Sequence, residues 1–284
     1  MFTEHPVRVP PLPLSQDVQY KALANPPIQE SPSPEGTVHL SIVAPIYRPE
    51  QHETWAKMVA QQQALLTQGG VCEAYLEGRT KMAYPTNRIP TLAECSAALF
   101  KHSGWRVIRV GGFVPEDKFF LLLAQKVFPC TDFIRHPSEL PYTPAPDMFH
   151  DLMGHLPLIN IEEFAVFFHN YGLAGQNAKN PQDIVELGRI YWHTVEFGLI
   201  NPSAFKGPHR DPSCTQVYGA GIASSVGEIP HALSPQVPKY PFDIEKVAQT
   251  AYDIHEMQAH YFEIESFSQL QKDFYTWASQ KGLL

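Results

Sequence analysis

Asp147-Met148-Phe149-His150-Asp151-Leu152-Met153-Gly154-His155 carries two imidazoles at positions i and i+5, with carboxylates at Asp147 and Asp151. The stretch follows a segment, Phe128 to Pro146, with prolines at 129, 137, 141, 144 and 146, which cannot be a regular helix. It reads as an irregular loop pinned by its prolines. Asp147 is a good N-cap, so a helix starts there and His150 falls in its first turn. Gly154 and Pro157 argue that this helix ends near His155. The ending matters, because residues five apart are separated by roughly 140° on an ideal α-helix. Two imidazoles converge only if the chain turns after Gly154. Further on, Tyr191-Trp192-His193-Thr194-Val195-Glu196-Phe197-Gly198 holds one acid among bulky groups late in an apolar helix.

Outward from this centre the pattern is mainly α with small β elements. Helices are expected over Glu50–Gln68, ended by Gly69-Gly70, and from Thr91-Leu92-Ala93-Glu94, which has capping-box spacing, to about His102. Trp105 to Val110, rich in β-branched residues, reads as a strand; Gly111-Gly112 turn the chain, and Pro115 opens a helix over Glu116–Lys126. Ile161 to about Tyr171 is an apolar helix. Asn180-Pro181 caps another that runs through Glu196, with Ile184, Leu187, Ile190, Tyr191 and Thr194 at helical spacing on its core face. Gln216 to Glu228, rich in Gly and Ser, reads as a loop or irregular strand. Asp243 to about Met257 and Ser266 to Ser279 read as helices, with an extended piece at Tyr261–Ile264 between them. Residues 1–40, dense in proline and without apolar periodicity, form an extended arm, and residues 41–284 one domain.

Composition excludes several classes of function. An apolar content of 44% with 18% charged residues belongs to a chain with a packed core rather than to a disordered or membrane one. The net charge of −8 and the lack of a basic cluster argue against nucleic acid and anionic membrane as partners. No apolar run approaches the ~20 residues of a membrane span, and no signal peptide is evident. Cys72, Cys95, Cys130 and Cys214 lie far apart without a Cys-x-x-Cys pair, which suits reduced cytoplasmic thiols and no thiolate metal site.

Two histidines and a carboxylate are the ligand set of mononuclear non-heme Fe(II) sites with positions open for dioxygen. The rival is a zinc hydrolase using the same His150, His155 and Glu196. The zinc peptidase motif, however, sets its histidines one helical turn apart and follows the first with glutamate. Here the spacing is longer and the residue after His150 is Asp151. A third reading, a non-enzymatic binding module responsive to its metal, fits less well with the bulky groups around Glu196.

Longer motifs then become recognisable. Arg135-His136, Tyr142-Thr143-Pro144-Ala145-Pro146-Asp147 and His150-Asp151-Leu152-Met153-Gly154-His155-Leu156-Pro157 closely resemble the signature of the pterin-dependent aromatic amino acid hydroxylases. So do Tyr191 to Gly198, Tyr218-Gly219-Ala220-Gly221 and Ser224-Ser225-Val226-Gly227-Glu228, with a weaker match at Ile244-Glu245-Lys246 and Glu265-Ser266-Phe267. The resemblance spans about residues 45 to 275, and the short length is similar to that of the bacterial phenylalanine 4-hydroxylases of the family.

The resemblance implies a single catalytic domain that hydroxylates an aromatic ring with Fe(II), dioxygen and a tetrahydropterin, which supplies two electrons and leaves as its 4a-hydroxy form. It implies His150, His155 and Glu196 as iron ligands, in agreement with the residues read alone. It implies Arg135 as a forked clamp on the substrate carboxylate, Thr143 on the substrate backbone, Pro146 and Trp192 around the ring, and Ser224 and Glu228 near the substrate and behind the ligands. For the pterin it implies the backbone at Gly112, Phe113 and Val114, stacking on Phe119, and a pocket lined by Asp151 and Tyr191. Ile254 aligns with a position that is apolar in phenylalanine hydroxylases, which favours L-phenylalanine as substrate over tryptophan or another ring position.

The sequence departs from the family pattern in three places. Asp151 and Ala145 stand where glutamate is common, and His193 stands where an apolar aromatic is usual. The arm is too short for the regulatory domain of the animal enzymes, and the chain stops at Leu284 without their tetramer-forming helix. The expectation is a cytoplasmic monomer without allosteric activation by substrate.

Overall fold

The computed structural model describes residues 30–32, 38–40, 46–110, 114–137, 146–254 and 256–284. Strands β1 (Glu30–Pro32) and β2 (Val38–Leu40), both within the expected arm, pair antiparallel. A mostly helical body follows. The Pro49–Leu66 helix is capped by Thr67, ahead of Gly69 and Gly70, both at positive φ, and buries Trp55, Val59 and Leu66 as expected. Thr91 and Glu94 form the expected capping box, in which Thr91 Oγ1 accepts from Glu94 N at 3.1 Å and Glu94 Oε2 from Thr91 N at 2.8 Å. The Leu92–Ser103 helix closes on Gly104 at φ 74°.

Three elements differ from the sequence reading. A helix at Glu73–Met82 fills a stretch for which no element was expected. Its interior Gly78 lowers helix propensity, but an added Cβ there would lie 1.9 Å from the Pro157 carbonyl oxygen, so glycine is what lets this helix lie on that backbone. The proline-rich segment begins as a strand, β4 (Val127–Thr131), parallel to β3 (Arg106–Val110), with the Glu116–Ala124 helix crossing between them. Both strands of a two-stranded sheet are edges, where Pro129 is tolerated. The helix expected over 243–257 is only Ile244–Gln249. The chain leaves it at Thr250 so that Tyr252 can stack on Trp192, with ring centroids 4.5 Å apart.

The other helices are close to expectation. Glu162–Asn177 contributes Phe164, Phe167, Phe168 and Tyr171 to the core. Phe167 meets Phe274 of the Phe267–Gln280 helix edge-on at 5.2 Å. Asn180 caps the Pro181–Tyr191 helix by accepting from Gln182 N. The remaining strands, β5 (Leu199–Ile200), β6 (Gln216–Val217), β7 (Lys239–Pro241) and β8 (Tyr261–Ile264), form one sheet in the order β6-β5-β8-β7. The turn into β5 follows Glu196 directly, so the sheet anchors the end of the helix that carries the acid. Among the described residues, no helix is long and apolar enough to cross a membrane.

Candidate metal centre

The i, i+5 spacing of the histidines has a different cause from the expected helix end. His150–His155 is a π-helical segment that runs straight into the α-helical Leu156–Ile159. A π-helix bonds residue i to i+5 and is found as single turns at functional sites. That wider turn, not a break at Gly154, brings the two imidazoles to one face. Gly154 is small for another reason. An added Cβ would meet the Ala220 carbonyl oxygen at 2.8 Å, so glycine admits the short Ala220–Ala223 helix against the π turn. Glu196 also closes a π-helical segment, Trp192–Glu196, at the end of the Pro181–Tyr191 helix.

The three side chains converge. His150 Nε2 and His155 Nε2 are 3.0 Å apart, and Glu196 approaches them at 3.5 and 3.2 Å. Their donor atoms all lie within 4.8 Å of one another, and among the described residues this is the one such cluster of three. The protonation of two of them, His155 and Glu196, suits a cation. Burial pushes His155 below the usual imidazole value. Burial alone would raise Glu196, but the two imidazoles beside it hold the carboxyl well below its usual range. Neutral imidazole and ionised carboxylate are the ligand forms.

Ser224 selects the tautomer of His150. Its hydroxyl donates to the Ala220 carbonyl at 2.7 Å and lies 3.0 Å from His150 Nδ1. Having spent its one proton, it accepts from Nδ1–H, which leaves the Nε2 lone pair facing the centre. Two imidazoles and a carboxylate held this way fit a divalent ion such as Fe(II).

Arg135 is buried, 7% exposed, beside this centre. Its Nε and Nη2 donate to Asp147 Oδ2 and Oδ1, each at 2.8 Å. Asp147 also accepts from Arg135 N and, as the expected N-cap, from His150 N at 3.1 Å. Burial alone would raise the Asp147 carboxyl, but the guanidinium holds it below its usual range. One carboxylate thus ties the arginine loop to the first metal-site histidine, a link the sequence reading lacked. Arg135 shares a small cavity with Phe149, Ser224 and Val226.

Of the other residues assigned to the substrate, Thr143 lies outside the described residues, Pro146 is half-buried, and Trp192 stacks on Tyr252 while its Nε1 donates to Gln258 at 2.9 Å. Ile254 is half-buried. Glu228 is turned to Tyr261, whose hydroxyl donates to it at 3.1 Å.

Of the residues assigned to the pterin, the four that are described are buried. Gly112 and Phe113 fall outside the described residues, and Val114 is 5% exposed. Phe119, 1% exposed, meets Tyr191 edge-on at 5.7 Å, and Tyr191 lies 6.2 Å from the His155 ring. Asp151 is fully buried and accepts from Thr131 N and Oγ1 at 2.7 and 2.8 Å, pinning the π turn to the end of β4.

His193, standing where an apolar aromatic is usual, makes a hydrogen bond that such a residue could not. Its Nε2 donates to the Thr250 carbonyl at 3.1 Å, which holds the segment carrying Tyr252 against Trp192. Burial pushes this imidazole down to about 4. Between pH 6.5 and that value the unfolded chain binds the proton and the folded chain does not, so the stability from neutral burial is full above pH 6.5 and is lost on acidification. Going from pH 7 to 5 should cost about 2 kcal/mol through this residue. Urea unfolding at the two pH values checks it: His193→Phe should show a pH dependence smaller by that amount, and an unchanged one would contradict it.

Comparison with known proteins agrees with this geometry. Residues 39–282 match the family described as biopterin-dependent aromatic amino acid hydroxylases. The chain is 38% identical over 225 residues to a phenylalanine-4-hydroxylase of Chromobacterium violaceum, covering 79% of this chain and 72% of that one. It is 38% identical over 243 residues to the phenylalanine-4-hydroxylase of Vibrio cholerae, covering 83% and 80%. The crystal structure of the Chromobacterium violaceum phenylalanine hydroxylase with bound iron(III) and oxidised 7,8-dihydrobiopterin superposes with a TM-score of 0.78 at 33% identity, covering 95% of this chain and 93% of that one. With two histidines and a glutamate converging in a fold of this kind, and a family match that takes in all three, the chain belongs to the biopterin-dependent aromatic amino acid hydroxylases.

Proposed function

We propose that the protein is a phenylalanine 4-monooxygenase, converting L-phenylalanine to L-tyrosine with Fe(II), a tetrahydropterin and dioxygen. The observation that carries this is the convergence of His150, His155 and Glu196 on one point beside the buried Arg135 fork. Held by His150, His155 and Glu196, Fe(II) would supply the activation of dioxygen, with a bound tetrahydropterin as the source of two electrons and the acceptor of the second oxygen atom.

The chain's own residues do the positioning. Ser224 keeps Nε2 of His150 free as a donor, and Glu196 contributes the one negative charge of the ligand set. Asp147 engages Nε and Nη2 of Arg135 and leaves Nη1 to meet the substrate carboxylate. Thr143 completes the grip on the substrate backbone. Pro146, Trp192 and Ile254 wall the ring with apolar surface, which suits an unsubstituted phenyl group because it leaves no polar ring atom to be paired. Gly112, Phe113, Val114, Phe119, Tyr191 and Asp151 form the pterin side, and a pterin stacking on Phe119 must displace what now covers that ring. The chain acts as a monomer in this reading, which is supported by His150, His155, Glu196 and Arg135 lying together within one chain. The free cysteines fit a reducing cytoplasm.

The test is anaerobic loading with Fe(II), followed by each aromatic amino acid with tetrahydropterin and air. Tyrosine from phenylalanine, with little product from tryptophan, is expected. Tightly held zinc with oxygen-independent hydrolysis, or no oxygen-dependent product, would overturn the proposal.

A further inference from the structure

The π turn that aims the histidines has a defect in its backbone bonding. Pro157 has no N–H. It stands five residues after Leu152 and four after Met153. In the π pattern it is the residue that should donate to the Leu152 carbonyl; in the α pattern it should donate to the Met153 carbonyl. Both residues are fully buried, so water cannot replace the missing donor without cost. Two phenols do so. Tyr84 Oη donates to the Leu152 carbonyl at 2.6 Å and Tyr75 Oη to the Met153 carbonyl at 2.5 Å.

Tyr75 is carried by the Glu73–Met82 helix, which Gly78 allows to lie on Pro157, and Tyr84 follows just past its end. Ala83, at φ 49°, ends that helix in the left-handed region and turns Tyr84 back toward the π segment. Burial raises both phenols above their usual value, so they stay protonated donors across the working pH range. Gln62 extends the network. Its Nε2 donates to Tyr75 Oη at 3.1 Å and to the Ala223 carbonyl at 2.8 Å, one residue before the Ser224 that orients His150.

We infer that Tyr75 and Tyr84 are positioning residues of the metal centre: their hydroxyls stand in for the donor missing at Pro157, hold the π turn open, and so keep His150 and His155 aimed at one point. This rests on reading that centre as a metal site. The phenols touch neither metal nor substrate and act only through the backbone between the two histidines. Gln62 couples the same turn to Ser224, so the orientation of His150 is set from both sides.

The test uses Co(II) as a spectroscopic probe, in the absence of substrate and pterin, with Tyr75→Phe, Tyr84→Phe and the double variant. Tyr171→Phe is the matched control, because it deletes a buried phenol-to-carbonyl bond of the same kind, to Leu187 at 3.2 Å, away from the π turn. Each single variant should raise the Co(II) dissociation constant about tenfold, in line with other losses of groups that orient ligands. The visible spectrum should shift as the ligand geometry relaxes. Tyr171→Phe should lower the melting temperature comparably but leave affinity and spectrum at wild-type values. Wild-type affinity and spectrum in both Tyr75→Phe and Tyr84→Phe would overturn the inference, as would equal changes in Tyr171→Phe. A wild-type protein that binds no Co(II) would instead overturn the reading of the centre itself, so the two failures are distinguishable.

Discussion

Glu196→Ala should abolish Fe(II)-dependent hydroxylation. Glu196 is buried and supplies the one carboxylate of the cluster. Without it, two imidazoles whose ring nitrogens are 3.0 Å apart face a cation with no charge to offset it. Losing a group that merely orients a ligand costs roughly ten- to a hundredfold in metal affinity or activity, and losing the ligand itself should exceed the top of that range. Iron content after gel filtration and the rate of tyrosine formation check it together. Glu196→Gln separates charge from shape: it should retain the fold and still fail to hold iron. Full activity in Glu196→Ala would remove this residue from the centre.

Arg135→Lys should raise the Michaelis constant for the amino acid roughly ten- to a hundredfold, the equivalent of one charge-assisted hydrogen bond. Lysine keeps the charge but cannot serve Asp147 and a substrate carboxylate at once, because it lacks the planar fork. The structure adds a consequence for stability. Asp147 is fully buried, and Arg135 is its ion-pair partner. Arg135→Ala strands that carboxylate, and breaking a buried pair from one side costs about 3–5 kcal/mol. The same loss reaches His150, whose N–H bonds Asp147. Steady-state kinetics on Arg135→Lys and urea unfolding of Arg135→Ala test the two halves separately. An unchanged Michaelis constant would refute the clamp, and unchanged stability would refute the structural pair.

Elements with their own local chemistry could be read from the sequence. Thr91 with Glu94, Gly104, Asn180-Pro181 and Ser266 act within a few residues of where they stand, and the helices they bound are present. The extended piece at Tyr261–Ile264 is β8, with the expected bounds. The choice of His150, His155 and Glu196 was also legible, because imidazole and carboxylate are the donors such a site needs and the longer motifs agree.

What could not be read depends on tertiary contact. The Glu73–Met82 helix packs through Gly78 on the Pro157 backbone, a partner far along the chain. The π turn was read as a helix end because Gly154 and Pro157 ordinarily signal one. Here the first makes room for Ala220, and tyrosines replace the donor missing at the second. Residues 250–257 carry a helical pattern, but Trp192 and His193 draw Tyr252 and the Thr250 carbonyl away from it. Nothing in the sequence around Arg135 or Asp147 alone announces that the two side chains pair across the positions between them.

The most direct measurement is the mass of the tyrosine formed when the Fe(II)-loaded protein receives L-phenylalanine, tetrahydropterin and dioxygen labelled with the heavy oxygen isotope. The expected result is one labelled oxygen atom in each tyrosine, with pterin oxidised in step. Unlabelled tyrosine, or no tyrosine at all, would contradict the account.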